Sequence, residues 1–232
     1  MKAWAIALKE LKTFFQSPVA YIVLFVTVSV FNVFFYIIID QNAEATLRDI
    51  FKVMEFMFVF IVPLLTMRSF AEERASGTFE FLATAPVTRL ELVLGKFAGV
   101  AVFFLFLMAL TAPYYFIIDY YADPDVPAML TGYFGILLEG LMFIAIGLWT
   151  SSMTRNQIVA AITSYVVIFM LYFSVSFKQY FSGIAETFIV HVSVWSHTEN
   201  FIVGIINTMD VAYFLLGTAL SLIWTRLNLA GR

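Results

Sequence analysis

Residues 19–39 read VAYIVLFVTVSVFNVFFYIII, twenty-one consecutive positions without a charge. Crossing ~30 Å of hydrocarbon takes about 20 apolar residues in a helix, so this stretch is long enough to span a bilayer. Its backbone groups would find no water in lipid, and it lacks the alternation of a barrel strand, so it must be helical. Working outward, the pattern recurs. Residues 50–67 carry Lys52 and Glu55 only near their start, 97–118 are uncharged, and 129–150 contain a single charge, Glu139. Residues 158–177 have none, and 211–225 form a shorter final run. Six transmembrane helices are predicted, making the chain an all-α integral membrane protein with one transmembrane domain over residues 1–232.

Composition agrees. Of 232 residues, 62% are hydrophobic and 12% charged, against roughly 25% charged in an average soluble domain. A net charge of -3 argues against nucleic acid, which needs a clustered basic face to displace counterions. Without cysteine there are no disulfides, thiolate metal sites or cysteine nucleophiles. Lys9, Glu10 and Lys12 interrupt the first residues, so a cleaved signal peptide is not expected.

Positive charge near span ends is retained in the cytoplasm. With the N-terminus inside, ten of the thirteen Lys and Arg fall on inner segments, leaving Arg48, Lys52 and Lys178 outside. Both termini are therefore expected in the cytoplasm. In residues 1–18, Trp4, Leu8, Leu11 and Phe15 recur at helical spacing opposite Lys2, Lys9 and Lys12. This reads as an interfacial amphipathic helix, with Ser17-Pro18 turning the chain into span one. A plain extension of span one is the alternative. Residues 178–210 are apolar but broken by Gly183, Glu186, His191, His197, Glu199 and Gly204, which predicts short helices in the outer leaflet between spans five and six.

The most charged stretch is RSFAEERASGTFEFLATAPVTRLELVLGK, residues 68–96. A short helix is expected through Glu72, Glu73 and Arg74, with Gly77 as a left-handed stop. A second is expected from about Thr78, presenting Phe79, Leu82 and Ala83, and ending before Pro86. Thr88 and Glu91 have capping-box spacing at the start of span three. Such a segment is suited to receive force from a soluble partner; a re-entry loop whose charges are merely solvated is the other reading.

Glu73, Arg74, Gly77, Thr78, Glu80, Leu82, Pro86, Val87 and Thr88 follow a run that resembles the signature of ABC-2 type permeases. The start, ALKELKTFFQSPVAYI, is similar to that family's connecting helix. Ser196, His197, Phe201, Gly204 and Asp210 resemble the gliding-motility and nitrous-oxide-reductase-maturation permeases. The resemblance implies that residues 68–96 are a coupling region docking on an ABC ATP-binding subunit. It also implies a second permease chain, a bacterial inner-membrane location, and ATP and Mg held by the partner, with no cofactor in this chain. An extracytoplasmic auxiliary protein is a further candidate partner, beside membrane lipid. Export of a substrate is the expected activity. Transmission of ATP-driven motion to an outer partner is the alternative.

Glu139 lies mid-span, where an ionised carboxylate facing lipid would cost several kcal/mol. Gly135, one turn earlier, would let a neighbouring helix approach and hydrogen-bond it. A structural role and a substrate or proton path both remain open. His191 and His197, six apart, have no metal-site spacing, and His197 reads as a hydrogen-bonded structural residue. Pro63 and Pro113 fall inside spans, where each frees a carbonyl and can kink the helix, and Gly95 and Gly99 mark close helix packing. No Walker A, GxSxG or HExxH sequence is present, so an enzyme is not expected.

Overall fold

A computed structural model describes residues 2–42, 46–78, 87–121 and 123–230, and every regular element among them is helical. In chain order these are α1 (Lys2–Gln16), α2 (Pro18–Asn42), α3 (Arg48–Thr66), α4 (Arg68–Ala75), α5 (Arg89–Ala109) and α6 (Pro113–Tyr121). They continue with α7 (Val126–Met153), α8 (Gln157–Phe173), a 3-10 turn over Ser174–Tyr180, α9 (Ile184–Val192), α10 (Val194–Ile202) and α11 (Thr208–Ala230). Six stretches among the described residues are long and apolar enough to cross a membrane: Pro18–Asp40, Arg48–Ala75, Arg89–Tyr121, Val126–Met153, Gln157–Tyr180 and Thr208–Leu229. The all-α class with six spans is thus present, with α1 before them and α9 and α10 between the fifth and sixth.

Helices gain nothing hydrophobic by leaving lipid for each other, so they associate through close packing and interhelical polar contacts. The middle of this bundle is α7, which packs against α3, α4, α5, α8, α10 and α11. Its glycines leave room for neighbours to sit on its backbone: Phe51 of α3 over Gly132, Phe104 of α5 over Gly140, and Thr66 of α3 over Gly147. By contrast α2 is only 22% buried in its apolar window, against 67% for α7. Phe25 on α2, Met170 on α8 and Leu216 on α11 point outward, which suits a surface solvated by lipid.

Three spans differ from their sequence expectation. The third is not one kinked helix. α5 stops at Ala109 and α6 starts at Pro113, because a proline at the first helical position lacks only an N–H that would be unpaired anyway. The carbonyl of Thr111 in the break accepts from the Tyr133 hydroxyl of α7 at 3.0 Å. Pro63, in contrast, sits inside an uninterrupted α3. The fifth span tightens into the 3-10 turn after Phe173. The last helix exceeds its apolar core 211–225 at both ends, since a helix persists past the hydrocarbon boundary wherever its polar residues reach water or protein. Asp210 and Asn228 both find protein partners there.

Helix α1 lies against α5 rather than contacting lipid alone. A Cβ on Gly95 would stand 2.7 Å from the Ala3 carbonyl, and one on Gly99 2.7 Å from the Glu10 Cβ. The stripe of Trp4, Leu8, Leu11 and Phe15 therefore divides. Leu11 and Phe15 pack toward the core, whereas Trp4, 61% exposed, and Leu8 face away from the protein.

Because Phe104 fills the space over Gly140, Gly140→Ala should destabilise the bundle by about 1–3 kcal/mol, the usual cost of overpacking. Thermal unfolding in detergent measures it, and adding Phe104→Leu should recover part of the loss.

Candidate functional site

Lys96 is a charged residue two turns inside α5, and its side chain is only 2% exposed. A buried ammonium is tolerated only when paired and hydrogen-bonded. Its Nζ lies 2.9 Å from Glu73 Oε1 on α4 and 3.3 Å from both carboxylate oxygens of Glu10 on α1. It also stands 5.2 Å from the centre of the Phe70 ring, within cation–π range. One point charge with three donors thus joins α1, α4 and α5. Burial raises the Glu10 carboxyl above its ordinary value near 4.5; Lys96 pulls it back, and Glu73 adds to the rise.

Two further contacts hold α4. The Ser151 hydroxyl, buried on α7, accepts from the backbone N–H groups of Phe70 and Ala71 at 3.1 Å and donates to the Met67 carbonyl at 3.0 Å. It thereby satisfies donors that a helix start leaves free. Arg68 makes a forked contact with Glu72, 2.9 and 3.2 Å, and reaches Ser17 Oγ at the α1–α2 joint at 3.3 Å.

Beyond these anchors α4 ends at Ala75. Ser76 N donates to the Glu72 carbonyl at 2.9 Å. Gly77 has φ 74°, the left-handed conformation that favours glycine. Thr78 Oγ1 donates to the Glu73 carbonyl at 3.3 Å. Residues Ala75 to Thr78 are exposed, whereas Glu72, Glu73 and Arg74 are half-buried. So among the residues singled out for coupling, Gly77 and Thr78 form an exposed tip, Glu73 turns inward as an anchor, and Glu72 pairs with Arg68 along the half-exposed side of α4. Glu80, Leu82 and Pro86, with the second helix expected there, lie outside the described residues. At Thr88 the capping box forms: Thr88 N donates to Glu91 Oε2 at 2.9 Å, and Glu91 N to Thr88 Oγ1 at 3.2 Å.

At the opposite end of the bundle, His197 and Asp210 meet directly, Nδ1 to Oδ1 at 2.6 Å, and His197 Nε2 lies 3.1 Å from the His191 carbonyl. Asn200 donates to the other Asp210 oxygen at 2.7 Å, and the His197 ring stacks on Tyr213. Gly204, φ 94°, turns the chain between α10 and α11, where a Cβ would stand 3.2 Å from that of Ala128. His197 therefore ties α10 to α11.

Glu139 is fully buried on α7. A helix does approach at Gly135, but it presents the Phe201 ring rather than a donor. Neither Glu139 oxygen has a hydrogen-bond partner among the described residues, which corrects the expectation that the neighbour would bind this carboxyl.

The sequence signal for Lys96 was a lysine two turns past a capping box, beside Gly95, where only a paired cation is stable. Ser151 and Glu10 carried no such signal, because their partners are remote in the chain. A family model described as ABC-2 family transporter protein matches residues 4–194. No curated protein matches the chain.

Removing the cation alone strands two carboxylates, so Lys96→Met should cost about 3–5 kcal/mol. Lys96→Met with Glu10→Gln and Glu73→Gln should recover most of it; chemical unfolding in detergent distinguishes the two. Because the folded-state value of Glu10 is raised, its ionisation works against the folded state, and its stabilising contribution falls as pH rises past about 4.5. Melting temperature measured against pH should thus show Glu10→Gln gaining on the wild type as the medium becomes less acidic.

Proposed function

The chain belongs to the ABC-2 transporter family, and on that premise we propose that it is a permease subunit driven by a separate ATP-binding subunit. In this reading the α1–α4 end faces the cytoplasm of a bacterial inner membrane, as the distribution of Lys and Arg favours. The exposed Ala75–Thr78 tip, with the residues that follow it, is the docking element. The partner holds ATP and Mg, and two permease chains form the translocation path, with export as the direction.

The observation that carries the proposal is the anchoring of that tip. Glu73 and Lys96 link α4 to α5 and α1, and Ser151 links it to α7. A displacement applied at Gly77 is thereby delivered to three helices at once, because packed cores shift between discrete arrangements rather than deform continuously. Glu73 acts as a positioning residue here, and the exposed tip makes the contact.

The second reading, transmission of motion to an extracytoplasmic partner, is favoured by α9. Ile184 is 91% exposed and Phe188 68%, an apolar surface of the kind that marks a partner or a lipid interface. Kinship with the gliding-motility and nitrous-oxide-reductase-maturation permeases rests on the resemblance of Ser196, His197, Phe201, Gly204 and Asp210, of which His197 and Asp210 pair here.

Co-purification with the ATP-binding subunit tests the coupling role. Gly77→Pro forbids the left-handed tip and should weaken association by about tenfold or more, on the order of 1.4 kcal/mol. Glu73→Ala should retain association but lower permease-stimulated ATP hydrolysis. Full association and full stimulation in both variants would refute the docking of this segment.

A further inference from the structure

Two acidic side chains lie in the interior of the bundle, and among the described residues neither forms an ion pair. Glu55 on α3 is 2% exposed and Glu139 on α7 is 0% exposed. Among the described residues neither oxygen of Glu139 has a hydrogen-bond partner, nor does Oε1 of Glu55. The helices that carry them run side by side in register: Phe51 sits on Gly132, and fifteen residues further along both chains Thr66 sits on Gly147. Glu55 is four residues past Phe51 and Glu139 seven past Gly132, so Glu139 lies about 5 Å deeper at 1.5 Å per residue. Helix α10, which carries the exposed Glu199, packs against both α3 and α7. The acidic groups thus descend from the α9–α10 end: Glu199 at the surface, then Glu55, then Glu139.

Among the described residues no cation forms an ion pair with either carboxyl. Lys52, one turn outward of Glu55, is 59% exposed and bound to Asp49 at 2.8 Å. Tyr213 on α11 donates its hydroxyl to the Val192 carbonyl at 2.6 Å rather than to either carboxyl. Two acidic groups so placed, without donors, require positive charge from outside the chain. We propose that Glu55 and Glu139 form an intramembrane site for one monovalent positive charge, loaded from the α9–α10 end by way of Glu199. Either a proton or an alkali ion has the required chemistry. Among the described residues no group of three or more acidic or histidine side chains is placed to hold a metal.

The test uses the full chain in lipid nanodiscs and dicyclohexylcarbodiimide, an apolar reagent that modifies protonated carboxyls, with adducts located by peptide mass spectrometry. An adduct is expected on Glu55 or Glu139 and not on Glu199, and its yield should fall about tenfold over one pH unit beyond the midpoint. At fixed pH, suppression by sodium or potassium chloride but not by choline chloride identifies an alkali ion as the bound charge. Indifference to all three salts identifies the proton. Glu55→Gln, nearly isosteric, should move Glu139 labelling to more acidic medium by about one unit, as for interacting sites. Absence of labelling at both residues at every pH would overturn the site, as would labelling insensitive to both pH and salt. An unchanged Glu139 profile in Glu55→Gln would overturn the pairing. None of these outcomes depends on whether an ATP-binding subunit docks.

Discussion

A single ammonium group placed out of reach of water governs the architecture at one end of this molecule. Lys96 cannot be buried without partners, and the two carboxylates that accompany it come from helices far apart in the chain, Glu10 on α1 and Glu73 on α4. The pairing constrains both helices: if either moves away, Lys96 is left under-compensated in a low-dielectric setting, where charge interactions are strong and unpaired groups costly. A rigid corner results, in which the N-terminal helix, the short helix after the second span and the start of the third meet. The glycines beneath make this geometry possible, since side chains at Gly95 and Gly99 would push α1 away and carry Glu10 with it.

The remainder of the bundle obeys a different constraint. In lipid there is little hydrophobic gain from helix association, so α7 is held by shape. Phenylalanine rings over glycines and the Thr66 side chain over Gly147 do this work, while hydroxyls satisfy themselves on backbone carbonyls of their own helices, as with Thr66 on Val62 and Thr150 on Gly147. Ser151 extends the same principle to a functional element, using one hydroxyl to close the α3–α4 joint. The chain thus has an ionic corner at one end, a close-packed centre around α7, and a polar junction of His197, Asn200 and Asp210 at the other end. Between the centre and that junction lie Glu55 and Glu139, with no hydrogen-bond partner among the described residues for either Glu139 oxygen or for Glu55 Oε1.

Much of this was legible from residues alone. Apolar runs bounded by charge announced the six helices, because hydrocarbon thickness sets a length that no loop satisfies. The capping box at Thr88 and Glu91 and the left-handed turn at Gly77 were equally local, each specified by neighbours within three or four positions. The spacing of Gly95 and Gly99 announced a close approach without saying what would approach. Pro113 signalled a disturbance, but whether a proline bends a helix or starts a new one depends on the surroundings of the break, where the Thr111 carbonyl takes the Tyr133 hydroxyl from twenty-two residues away.

The class, the spans, the turn at Gly77 and the cap at Thr88 follow from length, hydropathy and short-range hydrogen bonding, all of which neighbouring residues specify. Only the tertiary structure decided which charges of the segment around Gly77 face solvent and which are anchors. Glu73 and Thr78 look alike in a motif, yet one bonds a buried lysine and the other sits on an exposed tip. It likewise decided that Glu139 would meet a phenylalanine rather than a donor. The physical reason is the same in each case: what a charged side chain does in a bilayer protein is set by its partner, and the partner is brought by packing between helices that the chain order does not place side by side.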